Sequence, residues 1–95
     1  MSVMMILEVP GATIAQYEKA NEILQISGDD TAPAGLIFHT CGTTDDGIMV
    51  VDVWQSQEAL DTFFHTQLGA ALAETGLAGG HPRMIPVHNT IRGAA

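Results

Sequence analysis

The sequence predicts an α+β fold, a four-stranded antiparallel sheet with two helices on one of its faces. Three observations predict it. Six periodic segments follow one another in the order β-α-β-β-α-β, each bounded by turn residues. Only a short turn separates the second and third strand segments, which makes them an antiparallel hairpin. The strand segments are apolar at consecutive positions rather than at alternate ones, so both faces of the sheet are expected to be buried.

Each element has its own local reason. Val3 to Val9 is an apolar, β-rich run closed by the turn pair Pro10-Gly11. Thr13, with Gln16 three residues on, has the form of a capping box. Ile14, Tyr17 and Leu24 then recur at helical spacing, and Gly28 is expected to stop that helix. Ser27 to Gly35 is a polar loop with breakers. Leu36 to Cys41 is the second strand, Thr43 to Gly47 a turn, and Ile48 to Trp54 the third strand. Ser56 caps a second helix, whose apolar stripe is Ala59, Leu60, Phe63, Phe64, Leu68, Ala71 and Leu72, with Gly76 as its C-terminal stop. After a Gly-rich loop, Met84 to Ile91 is the fourth strand and Gly93-Ala94-Ala95 a loose tail. This order is the ferredoxin-like arrangement.

Composition bounds the partners. The chain of 95 residues is one small domain, residues 1–95, and 46% of it is apolar. Two helices cover one sheet face, so a second copy of the chain is the expected cover for the other, giving a two-fold homodimer. Charged residues are few and one-sided, with 3 Lys+Arg against 11 Asp+Glu and a net charge of -8. That argues against nucleic acid, whose phosphates need basic side chains, and against anionic membrane surfaces. The single cysteine, Cys41, cannot form an internal disulfide or a cysteine zinc site. The apolar start ends after five residues at Glu8, too short for a signal peptide or a membrane span. A cytoplasmic location is the expectation.

The stretch Val51-Asp52-Val53-Trp54-Gln55-Ser56-Gln57-Glu58-Ala59-Leu60-Asp61-Thr62-Phe63 resembles the dimeric α/β-barrel superfamily. Members often read strand, Trp-x-Ser, an acidic residue, Ala-Leu or Ala-Phe, and Phe at this place. Gly35 to His39 and Pro86 to Asn89 are similar to a group of small bacterial members. The resemblance implies that the sheets of two subunits form one barrel, with a ligand pocket between sheet and helices in each. The superfamily includes cofactor-independent monooxygenases of the antibiotic-biosynthesis type, polyketide cyclases, haem-degrading enzymes and stress-response barrels. A fold with so many activities does not name one. The haem-degrading pattern does not match: the first strand has no Asn, Phe63 stands in place of a second Trp, and Ala73 in place of a His.

The sharpest chemical constellation is His39 with Asp52. If the hairpin turns about Asp45-Asp46, His39 faces Asp52 on one side of the sheet, with Cβ atoms about 4.5–5.5 Å apart. A carboxylate there fixes the imidazole tautomer, the outline of a general acid/base in an apolar site. Trp54, diagonal to the pair, is expected to stack a flat aromatic ligand. Tyr17 belongs to the core stripe of the first helix, with its hydroxyl in reach of a pocket edge. His88 on the fourth strand is a ligand-lining or edge residue. A structural reading stands beside the catalytic one, because a buried Asp needs a partner and His39 supplies it. The four histidines have no metal-binding spacing, so neither metal nor cofactor is expected. Two functions remain. One is a cofactor-independent monooxygenase or cyclase for a hydrophobic aromatic molecule. The other is a non-catalytic ligand-binding or stress-response barrel. An open pocket separates them.

Overall fold

The computed structural model describes residues 1–94. Its elements are β1 (Val3–Pro10), α1 (Ile14–Leu24), β2 (Leu36–Thr43), β3 (Gly47–Trp54), α2 (Gln57–Phe63), α3 (Gly69–Thr75) and β4 (His81–Pro86). A 3-10 turn at Asp29–Thr31 precedes β2, and a π-helical turn at Phe64–Leu68 joins α2 to α3. The strands lie in the order β2-β3-β1-β4, each antiparallel to its neighbours. This is the ferredoxin-like α+β fold that the sequence predicts.

The strand pleat sorts side chains between two faces. Val3, Met5 and Val9 of β1 and Ile48, Val50 and Trp54 of β3 are buried beneath the helices. They meet Leu60 and Phe63 of α2 at one end of the sheet, and Ala20 of α1 and Leu77 at the other. Trp54 and Ile48 are the largest fully buried side chains. Met4, Ile6, Val51 and Val53 point to the opposite face, where they are only half-buried and Phe38 is 57% exposed. Among the described residues, no helix covers that face.

The capping box forms as expected. Gln16 N–H donates to Thr13 Oγ1 at 3.2 Å, and Thr13 N–H donates to Gln16 Oε1 at 2.8 Å. The helix stops sooner than Gly28, however. Gln25 adopts the left-handed conformation at φ 60°, and Ile26 N–H closes the end on Asn21 O at 3.0 Å. The early stop folds Ile26 back onto the core.

The second helix is not one continuous α-helix. After Leu60 and Phe63, the next apolar residue on the stripe is Leu68, five positions on. A regular α-helix would bring Gln67 to the buried face instead. The π turn, which bonds i to i+5, lets Leu68 follow Phe63 while Gln67 stays exposed. Phe64, expected on the stripe, turns outward and is 44% exposed.

The fourth strand lies earlier than expected, at His81–Pro86 rather than Met84 to Ile91. Its partner β1 starts at Val3, which pairs with Pro86, so the paired ladder ends there. One last bond, Val87 N–H to Ser2 O at 3.0 Å, closes it. That bond places odd-numbered N–H groups toward β1, so the ring nitrogens of Pro82 and Pro86 face outward. Both prolines are tolerated because β4 is an edge strand. Ala95 of the expected tail lies outside the described residues.

Gly35 opens β2 at a place that no other residue fits well. Its φ is 86°, and a Cβ there would sit 2.5 Å from Ala59 Cβ. Its carbonyl accepts Gln55 N–H at 2.8 Å, tying the start of β2 to the end of β3. Left-handed strain of about 1–2 kcal/mol and overpacking of about 1–3 kcal/mol add here. Gly35→Ala is therefore expected to cost about 2–5 kcal/mol in a urea melt. A loss under about 0.5 kcal/mol, as at an ordinary surface site, would contradict this packing.

Candidate functional site

The hairpin carries the first part of the site. β2 and β3 pair with His39 opposite Asp52, Cys41 opposite Val50 and Thr43 opposite Ile48. A bulge between Leu36 and Phe38 leaves the rest of the register intact. His39 and Asp52 therefore share the face that looks toward the helices. His39 Nδ1 lies 2.5 Å from Asp52 Oδ1.

α1 supplies the next residue. Tyr17 lies on its sheet-facing side, and Tyr17 Oη stands 2.5 Å from His39 Nε2. The two rings are nearly parallel, 8° apart in plane with centroids 6.0 Å apart. At the far end, Trp54 Nε1–H donates to Asp52 Oδ2 at 3.1 Å. The chain of contacts thus runs from Tyr17 through His39 and Asp52 to Trp54.

Donor chemistry gives this chain a direction. The indole N–H only donates, so Asp52 Oδ2 accepts. With Asp52 ionised and the imidazole neutral, Oδ1 accepts as well, and the one imidazole proton sits on Nδ1. Nε2 then offers a lone pair, and the Tyr17 hydroxyl donates to it. Every polar atom is satisfied in this arrangement. Among the described residues, no buried side-chain nitrogen or oxygen lacks a partner.

Burial is graded along the chain. The Asp52 side chain is 7% exposed and that of His39 33%. Burial holds the Tyr17 phenol above its ordinary range, the polar side chain of Asn21 opposes this, and the charges of Cys41 and Asp52 add to the rise. Burial also raises the Cys41 thiol. Tyr17 is the sole tyrosine of the chain, so tyrosinate absorbance at 295 nm reports it alone. We expect a titration midpoint above the usual value of about 10. The sign for stability follows. The unfolded chain loses this proton first as pH rises past about 10, so stability falls from there upward. A midpoint at or below about 10 in the folded protein would contradict the burial of this hydroxyl.

A cavity of about 670 Å³ opens beside the relay, between the sheet and the helices. Its polar lining includes Tyr17, Asn21, His39 and Asp52. Met5, Leu7, Val50, Phe63 and neighbouring side chains make most of the wall apolar. Ser27, Gly28, Asp29, Ala32 and Pro33 border it, all but Pro33 exposed, and form its mouth. No lysine or arginine lines it.

Two expected residues stand elsewhere. Trp54 does not line the cavity. It is 1% exposed and packed against Phe63, with ring centroids 5.5 Å apart. Its indole holds Asp52 and is not placed to stack a ligand. His88 follows the end of β4, is exposed, and does not border the cavity. The chain leaves the sheet at Pro86, because β1 extends no further. Asn21 and the Ser27–Pro33 mouth were not foreseen. Asn21 is one helical turn after Tyr17, and that spacing is the signal that could have found it. Among the described residues, no group of three or more His, Cys, Asp or Glu stands close enough to hold a metal ion.

No protein-family model matches the chain, and no curated protein sequence is similar to it at a significant level. Solved structures do share its fold. A variant of SnoaB, a cofactor-independent oxygenase from Streptomyces nogalater, superposes with a TM-score of 0.69 at 10% identity over 95% of this chain and 96% of that one. A candidate antibiotic biosynthesis monooxygenase from Deinococcus radiodurans gives 0.65 at 11% identity, covering 100% of both chains. A similar candidate from Chloroflexus aurantiacus gives 0.61 at 20% identity, covering 98% of this chain and 100% of that one. At these identities the likeness is one of fold alone.

Proposed function

We propose that this protein is a cofactor-independent acid/base enzyme acting on a neutral, hydrophobic aromatic molecule that carries a weakly acidic O–H or C–H group. The observation that carries this reading is the Tyr17–His39–Asp52 relay, with two contacts of 2.5 Å, set in the wall of a largely apolar cavity of about 670 Å³. A substrate proton passes to Tyr17 Oη as the phenol proton passes to His39 Nε2. Asp52 then faces the imidazolium, and the substrate is left as its anion beside it. Apolar walls strengthen the electrostatics of the step and orient a flat substrate. An anion made this way is the activated form for reaction with dioxygen or for ring closure. The cavity lining holds no lysine or arginine and two carboxylates, Asp52 in its wall and Asp29 at its mouth, which disfavours an anionic substrate.

Two solved structures of this fold belong to a cofactor-independent oxygenase, which supports the oxygenase form of the reading. Oxygen uptake in the presence of polycyclic phenols, 1-naphthol first, tests it. Uptake that depends on the protein is expected. Binding without any turnover across the panel would favour the non-catalytic reading, which the fully satisfied hydrogen bonding of Asp52 also suits.

The working form in this proposal is a homodimer in the cytoplasm. The lone thiol suits a reducing compartment. The uncovered sheet face, with Met4, Ile6, Val51, Val53 and the exposed Phe38, is apolar enough to seat the same face of a second copy. No helix of the described residues is long and apolar enough to cross a membrane. Sedimentation velocity is expected to give twice the chain mass, and Val51→Glu to give the monomer. A monomeric native protein would remove the dimer from this account.

A further inference from the structure

A second cavity, of about 330 Å³, lies on the far side of the π turn. Met5, Leu7, Leu68, Leu72 and Leu77 line both cavities, so one layer of side chains divides them. All five are unbranched or γ-branched aliphatics. Such side chains change rotamer at little cost when a neighbour presses on them. The second cavity opens at Phe64 and Met84, 44% and 43% exposed. Its polar side chains, Asp61 and His65, are both exposed and so sit at the rim. No other polar side chain lines it.

The π turn builds this arrangement. Phe63, just before it, lines the first cavity, Phe64 and His65 line the second, and Leu68 at its end lines both. Without the extra residue in the turn, Gln67 would take the place of Leu68 in the dividing wall and set an amide between two apolar spaces. π turns within helices are frequent at functional sites.

We infer that the second cavity is a subsite for the unbranched apolar tail of a ligand whose weakly acidic head lies at Tyr17 and His39 in the first, the tail passing between Leu68 and Leu72. The inference rests on the proposed binding of a neutral acidic head in the first cavity, and it narrows the ligand to an amphiphile such as an alkylated phenol. A compact polycycle such as 1-naphthol still fits the first cavity but binds less tightly than an alkylated phenol, since a rigid ring system has nothing to pass through the leucine wall. An anionic head group, as in a fatty acid, finds no cation beside the relay.

The test is isothermal titration calorimetry with 4-alkylphenols from butyl to decyl. Each methylene that enters apolar space contributes about 0.8 kcal/mol, or roughly fourfold in affinity. We expect affinity to climb at up to that rate along the series. Ala78 is exposed and borders only the second cavity. Ala78→Trp fills that cavity from its rim, and Leu68→Phe thickens the dividing wall. Each is expected to cut the ratio of decyl to butyl affinity at least tenfold. The rim position keeps the test open should the wall variant fold poorly. Affinity that is flat beyond butyl, or a chain-length gain untouched by both variants, would overturn the subsite and leave head binding in place. Failure of every alkylphenol to bind the native protein would overturn the proposed function along with it.

Discussion

Replacing His39 with alanine is expected to lower turnover of the phenolic substrate by about 10²–10⁴, the range for loss of a positioned general acid/base. The reason lies in where the proton can go. Tyr17 Oη has Nε2 of His39 at 2.5 Å, and the relay continues to Asp52 through Nδ1. Without the imidazole, the phenol has no strong acceptor, and its own burial already disfavours the phenolate. The fold is expected to survive. His39 sits on the edge strand β2, with its side chain 33% exposed, and Asp52 keeps the Trp54 donor. Loss of one hydrogen bond to a charged group costs about 1.5–3 kcal/mol. Steady-state oxygen uptake alongside a thermal melt separates the two roles. A variant that melts early yet keeps full turnover would mark the His39–Asp52 pair as structural.

Asp52→Asn is expected to cost as much in turnover while changing the shape of the site least. Both partners of the carboxylate donate hydrogen bonds, Trp54 Nε1–H to one oxygen and His39 Nδ1–H to the other. An amide offers only one oxygen. Trp54 cannot accept, so the amide oxygen stays with the indole and the NH2 group turns to His39. Nδ1 must then accept, which moves the imidazole proton to Nε2. His39 would donate to Tyr17 instead of accepting from it, and the relay would run backwards. A reversed tautomer with intact geometry lowers kcat by about 10⁴ in hydrolytic triads, and we expect a loss of about 10³–10⁴ here. Stability should fall by only about 1–3 kcal/mol, since each group keeps a partner. Asp52→Asn turnover within about tenfold of native would show that the carboxylate does not set the direction of proton transfer.

Much of this was legible in the sequence, and the rest was hidden for physical reasons. The hairpin turn about Asp45-Asp46 set the register, so the juxtaposition of His39 and Asp52 followed from counting. Strand parity likewise put Trp54 on the face of Asp52. Parity does not say how far along the strand the cavity reaches, and Trp54 falls beyond its end, among Leu60 and Phe63. Tyr17 was visible as a residue of the inner face of α1. Its contact with His39 depends on where that helix crosses the sheet, which no local pattern encodes. The π turn was written in the five-residue gap from Phe63 to Leu68, but a stripe read at a fixed period passes over such a gap. The misplaced β4 has a similar origin. The apolar run after Met84 resembles a strand, whereas its extent is set by the length of β1 beside it.

The relay's direction is the central claim, and nitrogen-15 NMR of the histidine rings reads it without any substrate. The protein contains four histidines, and the His39→Ala variant identifies the signals of His39 by difference. The account predicts a proton on Nδ1 of His39 and an unprotonated Nε2, with the proton moved to Nε2 in Asp52→Asn. A native His39 protonated at Nε2, alone or together with Nδ1, would leave no lone pair for the Tyr17 hydroxyl and would contradict the account.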